Sequence, residues 1–154
     1  MRHVTPGERP QNDAGYLEMM TKIIFMGGLN RQVVENKWNG FLDAFHGFDP
    51  GKVANFTQED VERLSEDERI IRYGAKIRAV VDNASRMLTL ADENGSFGKW
   101  LRRNVQQEGI DDTAEMLANQ FAYLSETSAK NFLYAVGEEV DEITEEARQK
   151  YGSG

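Results

Sequence analysis

A chain of 154 residues has the size of one domain, able to bury roughly two-thirds of its unfolded surface, and its 40% apolar and 10% aromatic content suits a packed globule rather than a disordered segment. It contains no cysteine and two histidines, His3 and His46, which excludes disulfides and thiolate zinc sites and leaves no metal or cofactor to expect. The net charge of −8 argues, as a sum, against a nucleic-acid partner.

Residues 1–14, with Pro6, Gly7 and Pro10, read as a flexible N-terminal lead-in. From Gly15 the pattern becomes helical: Tyr16, Leu17, Met20, Ile23 and Ile24 recur at spacings of three and four and predict one apolar stripe. Gly27-Gly28 breaks that helix, a bare Leu29 follows, and Val33, Val34, Trp38, Phe41, Leu42 and Phe45 predict a second. This helix ends near Gly47. Asp49 then caps a short one, with Pro50 at its first position. Thr57 with Asp60, and Ser65 with Glu68, have the spacing of capping boxes, so short helices are expected across 57–72. A longer helix runs from about Ala75 to Leu90, with Ile77, Val80, Val81, Ala84, Met87 and Leu88 on one side. "ENGS" is a turn, and Ser96 caps "FGKWL". After a polar loop, Asp112 or Thr113 starts a helix through Met116, Leu117 and Gln120. "FAYLSETSAKNFLYAVG" predicts a short hairpin and a helix capped by Gly137, with residues 138–154 an acidic tail that reads as a frayed helix. Nothing alternates as a strand and nothing repeats. The class expected is all-α: a helical domain over 15–137, with about eight helices and a helix-hairpin-helix-like element.

The charge is distributed unevenly. Residues 111–154 carry three basic and ten acidic side chains, which leaves the rest of the chain close to neutral. Within 69–103, eight bases (Arg69, Arg72, Lys76, Arg78, Arg86, Lys99, Arg102, Arg103) meet only Asp82, Asp92 and Glu93. Such a run can serve a phosphate backbone or be an ordinary solvated helix face. No stretch of 18 apolar residues and no basic-then-apolar leader is present, so no membrane association and a cytoplasmic location are expected.

"GFDPGKVANFTQEDVERL", then "IIRYGAKIRAVVDNA", then "FLYAVG" near the end resemble, in order and spacing, the DNA-3-methyladenine glycosylase I family of helix-hairpin-helix glycosylases. The resemblance covers roughly residues 15–140. It implies a small all-helical repair domain that flips an alkylated purine out of duplex DNA and hydrolyses its N-glycosidic bond. Flipping leaves a gap that such enzymes usually fill with a side chain. The family's turn "AGLSW" presents that wedge, and "GGLNR" here would set Gly28 against the opened backbone and Leu29 in the gap. On the residues alone, Gly28 as a helix cap with Leu29 packed inward is the plainer reading. "YLSETSAKNF" matches the family segment that holds a DNA phosphate at a helix N-terminus, which assigns Ser125, Thr127, Ser128 and Lys130 to the DNA backbone. Ser125 stands where a glycine eases close approach, and Glu126 adds a carboxylate there.

The family's base pocket reads differently in this chain. Where its relatives have "LEGxQAGLSW", this sequence has Ile23 at the Glu position and Arg31 at the Trp position, and it has no counterpart of the Cys/His zinc ligands. Ile23 accepts no hydrogen bond, and the charge on Arg31 would repel a cationic purine. Trp38 is a further candidate pocket wall, although its spacing with Phe41 and Phe45 equally fits a core. Glu18, Glu35, Asp43 and Asp49 are the nearby carboxylates. Asp49 reads first as a cap, and the others as solvated helix charges. Two functions follow: a glycosylase of altered preference, or a non-catalytic relative that binds DNA, or a protein through its acidic C-terminal third.

Overall fold

The structure, a computed structural model, describes residues 7–141 and 143–151. The first six residues of the lead-in and the terminal Gly-Ser-Gly lie outside the described residues. Among those described there are nine α-helices and no strand, in agreement with the all-α expectation.

Helix α1 (Asp13–Met26) is the axis of the domain. Its N-cap is Asn12, whose side chain accepts from the Gly15 amide at 3.1 Å. Twelve successive residues, Gly15 to Met26, are buried, so α1 is enclosed on all sides rather than along a single stripe. The stripe read from the sequence was narrower because Glu18, Thr21 and Lys22 interrupt it. Each of the three has a partner inside: the Thr21 hydroxyl donates to the Leu17 carbonyl at 2.8 Å, and the two charges are described below.

Helix α2 (Arg31–Asn36) runs into α3 (Trp38–Ala44) through Lys37. His46, Gly47 and Phe48 then all take positive φ, which turns the chain back and drops Phe48 into the core. Trp38, Phe41, Phe45 and Phe48 form a stacked aromatic group, with centroids 4.8 to 6.2 Å apart and interplanar angles of 9° to 23°. Helix α4 (Pro50–Ala54) starts as expected, with Asp49 accepting from the Gly51 and Lys52 amides. Helix α5 (Gln58–Leu64) has the full Thr57–Asp60 capping box.

The second box does not exist. Ser65 is the C-cap of α5, its hydroxyl donates to the Val61 carbonyl, and no helix forms across 66–73. A capping box needs an apolar face after it to pack, and here the chain instead passes Ile70 into the core and leaves.

Helix α6 (Gly74–Asn94) is longer than expected and packs against α1, α4 and α7. Helix α7 (Phe97–Gln120), capped by Ser96, replaces the predicted loop: the chain stays helical through the polar stretch, interrupted only at Gly109 (φ 88°). Across that break the Thr113 hydroxyl donates to the Gly109 carbonyl at 2.7 Å, and Asn104 donates to Thr113. Helix α8 (Glu126–Ala135) closes the bundle against α1 and α7 and ends where Gly137 turns with φ 91°. The tail is not frayed throughout. Residues Glu145–Tyr151 form α9, which buries Ala147 and Tyr151 and packs on α8.

Candidate nucleic-acid interface

The turn between α1 and α2 is fixed from both sides. The Gly27 amide donates to the Ile23 carbonyl and the Leu29 amide to the Met26 carbonyl, at 3.2 and 3.1 Å. Gly28 takes φ +82°, with open space where a Cβ would stand. That left-handed step is one that a side chain would resist. Asn30 then caps α2 by accepting from the Val33 amide at 2.9 Å. Between these two caps Leu29 stands 37% exposed. It does not plug the protein's own core.

Beneath the turn lies a buried polar cluster. The Trp38 indole N–H donates to Glu18 Oε2 at 2.9 Å, and both residues are almost fully enclosed. Lys22 stands over the same indole ring, 5.0 Å from its centroid, and pairs with Glu35 at 3.0 Å. Glu18 is therefore not a solvated charge; a donor 20 residues away takes it out of water. Asp43 is exposed, and Asp49 serves as the α4 cap.

The three pocket positions differ in their surroundings. Ile23 is buried within α1, and Trp38 belongs to the core stack with Phe41 and Phe48. Arg31, at the surface, donates to the Gln149 carbonyl of α9 at 2.6 Å and lies 3.8 Å from Glu35.

The second element is the hairpin before α8. Buried Asn83 of α6 clamps it: its carbonyl accepts from the Ala122 amide at 2.8 Å, and its amide donates to the Ala122 carbonyl at 3.2 Å. Tyr123 follows with φ +62°, half exposed. Ser125 and Ser128 then form a reciprocal capping box, each side chain accepting from the other's amide at 3.1 and 2.8 Å. This uses up two of the hydroxyls assigned to DNA and leaves the Glu126 and Thr127 amides as the helix's outward donors. Lys130 pairs with Asp111 at 2.9 Å. Asn83→Ala removes both bonds to Ala122 and leaves a partly buried backbone pair unmet. The expected cost is about 2–4 kcal/mol in chemical denaturation, with Asn83→Asp, which keeps the acceptor, falling in between.

One cation joins the two elements. Lys76 Nζ donates to the Gly27 carbonyl at 3.1 Å, immediately before the turn, and stands 5.2 Å over the Tyr73 ring and 5.7 Å over Phe25. Desolvation by these neighbours pulls its pKa below that of an ordinary lysine. Tyr73 in turn meets Tyr123 edge to face, with centroids 6.4 Å apart at 82°. Gly27, Lys76, Tyr73, Tyr123 and the start of α8 thus share one face. The sequence reading passed over both tyrosines. The available signal was that each is an aromatic residue standing off the apolar period, next to a helix start.

The basic run is not one strip. Helix α6 spans roughly 30 Å, so Lys76 at its start and Lys99, Arg102 and Arg103 beyond its end lie at opposite ends of the domain. Arg69 pairs with Asp67 at 2.7 Å, Arg103 donates to Asn94 at 3.0 Å, and Arg102 lies 3.4 Å from the Tyr16 hydroxyl. Arg72 and Arg78 are both exposed. Among the described residues no group of acidic or imidazole side chains could hold a metal ion, and no helix is long and apolar enough to cross a membrane.

Comparison with known proteins adds to this geometry. The family model for methyladenine glycosylase matches residues 6–137. DNA-3-methyladenine glycosylase 1 of Escherichia coli is 40% identical over 87 residues, which is 56% of this chain and 46% of that protein. DNA-3-methyladenine glycosylase of Haemophilus influenzae is 31% identical over 83 residues, 54% of this chain and 45% of that one. The chain thus aligns with about half the length of the curated relatives it matches. Among solved structures, a 3-methyladenine DNA glycosylase I superposes with a TM-score of 0.76 at 26% identity, covering 86% of this chain and 83% of that one. The Staphylococcus aureus 3-methyladenine DNA glycosylase I gives 0.76 at 25% identity, covering 86% and 80%. A variant of such an enzyme in complex with 3-methyladenine gives 0.77 at 25% identity, covering 86% and 81%.

Proposed function

The chain belongs to the methyladenine glycosylase family, and from that premise we propose that it binds alkylated duplex DNA, turns the damaged purine out of the stack and hydrolyses its N-glycosidic bond. The observation that carries this reading is Leu29, an apolar side chain held out of the core between two helix caps. Leu29 enters the gap left by the flipped nucleotide, and Gly28 lets the opened backbone approach. The Glu126 and Thr127 amides at the positive end of α8 hold a phosphate, with Ser125, Ser128 and Lys130 shaping that end. In the cleavage step, water attacks the sugar carbon, the bond to the purine nitrogen breaks, its electron pair neutralises the cationic base, and the proton shed by the water passes to solvent. A leaving group that already carries positive charge needs little acid catalysis. Ile23 and Arg31 occupy the pocket positions, with Trp38 supporting them from the core. The protein acts on nucleoid DNA in the cytoplasm.

A second reading, DNA binding without hydrolysis, is favoured by the pocket itself: Ile23 offers no acceptor, Arg31 is engaged by Gln149, and Glu18 is engaged by Trp38. In that case the acidic C-terminal third is where a protein partner docks. Release of free purine from methylated duplex DNA separates the two. Wild type is expected to release base, and Leu29→Ala to be slower by about ten- to a hundredfold, since unstacking costs a few kcal/mol that the wedge offsets. Salt-dependent binding of the same duplex with no release establishes the second reading instead.

A further inference from the structure

We propose that Tyr73 and Tyr123 form a stacking platform for an unpaired DNA base, the one left without a partner when Leu29 fills the gap. This rests on the DNA-binding reading above and adds a second contact to it. The described residues include four exposed large apolar side chains: Leu29, Val33, Tyr73 and Tyr123. Tyr73 and Tyr123 are linked to the turn that carries Leu29 by successive contacts: Gly27 to Lys76, Lys76 to Tyr73, Tyr73 to Tyr123. The Tyr73 ring stands no farther from the Gly27 carbonyl than the two Lys76 contacts laid end to end, 3.1 and 5.2 Å, and Tyr123 lies one ring contact of 6.4 Å beyond it.

Both residues are about half exposed, at 49% and 50%, and their planes stand 82° apart, so one ring at a time can offer its face to a base while the other braces it edge-on. The pair is held in place from behind. Asn83 clamps the residue before Tyr123, and Tyr123 is fixed at φ +62°. Lys76 lies over Tyr73. A platform fixed in advance loses little entropy on binding. Lys76 sets a positive charge over the Tyr73 ring, and Arg72, the residue before Tyr73, is exposed, which suits a partner carrying phosphates. Aromatic faces on which unpaired bases stack, flanked by cations, are the usual way proteins hold unpaired nucleic acid, and they are tolerant of base identity.

The test uses the full chain and a duplex with a tetrahydrofuran abasic analogue opposite 2-aminopurine, whose fluorescence is quenched on stacking. Wild type is expected to bind and quench. Tyr123→Ala and Tyr73→Ala are each expected to weaken binding by roughly five- to a hundredfold and to restore the fluorescence, with an unchanged salt slope. Tyr123→Phe and Tyr73→Phe keep both signals, and Tyr73→Ala guards against any backbone effect of replacing the left-handed Tyr123. Alanine variants that bind and quench like wild type, while Leu29→Ala binds weakly, overturn the platform and leave DNA binding standing. Weakened binding with quenching intact also overturns it, as a contact with something other than the base. Failure of wild type to bind this duplex at all removes the DNA reading and the platform with it.

Discussion

Replacing Gly40 by alanine is expected to destabilise the domain by at least about 3 kcal/mol and to lower its melting temperature by roughly 6–12 °C. Local propensity predicts the opposite sign. Gly40 lies inside α3, where alanine is favoured over glycine by about 1 kcal/mol. The packing decides the matter. A Cβ at Gly40 would overlap the Arg69 carbonyl oxygen and lie 2.8 Å from its carbonyl carbon and from its Cβ. The obstacle is backbone, and the loop that carries it cannot easily retreat. Ile70 is anchored in the core, the Arg69 amide is held by Asp67 at 2.9 Å, and Lys37 Nζ binds the Glu68 carbonyl at 2.9 Å. Calorimetric melting checks this, and a shift below about 2 °C would show that the 66–73 loop yields. That loop leads directly into Arg72 and Tyr73, so the variant is also expected to weaken contacts on the exposed face.

Trp38→Ala has the second large effect, about 4–6 kcal/mol. The ring alone accounts for about 3–5 kcal/mol, as for other buried aromatics, and the stranded Glu18 carboxylate adds about 1–3 kcal/mol, less whatever water can enter. Trp38→Phe divides the two parts. It keeps most of the stacking on Phe41 and Phe48 but removes the indole donor, so it should lose about 1–3 kcal/mol. Urea denaturation reads both variants. Because Trp38 is core, the DNA affinity of folded Trp38→Phe is expected to match wild type; a large change in affinity without a change in stability would make the indole a base contact after all.

Those two positions also mark where sequence reasoning reached its limit. Asp49, Thr57, Ser96 and Gly137 were legible because a cap is settled within four residues by the chemistry of one side chain. The all-helical fold was legible through a long pattern, "FDPGKVANFTQEDVERL", whose order few other chains share. Ser65 with Glu68 has the same local chemistry as Thr57 with Asp60, yet only one makes a helix, since the outcome depends on what the next residues pack against. Glu18 was misread because its partner is Trp38, and Gly40 carried no signal because Arg69 is 29 residues away in sequence. At the site, Leu29 could be found between a Gly-Gly break and an Asn cap, both local features. Tyr73 and Tyr123 come together only after α6 and α7 have folded back on each other, and no local period reports that.

The break at Gly109 has a consequence for how such chains can change in length. In an unbroken helix, one inserted residue rotates everything beyond it by about 100°, turning a buried face outward. Helix α7 carries Phe97 and Leu101 into the core before Gly109, and Thr113, Ala114 and Leu117 after it. With φ 88° and ψ 173°, Gly109 breaks the helical register between these two sets, and the Asn104 and Thr113 side chains bond across the break. Open space surrounds the position where a Cβ would stand. Residues gained or lost at this point are expected to cost the Asn104–Thr113 link while leaving the aromatic group around Phe97 and the hairpin held by Asn83 in their places. Relatives of different length are therefore expected to differ here first, as a loop between two half-helices, while the face bearing Leu29 keeps its geometry.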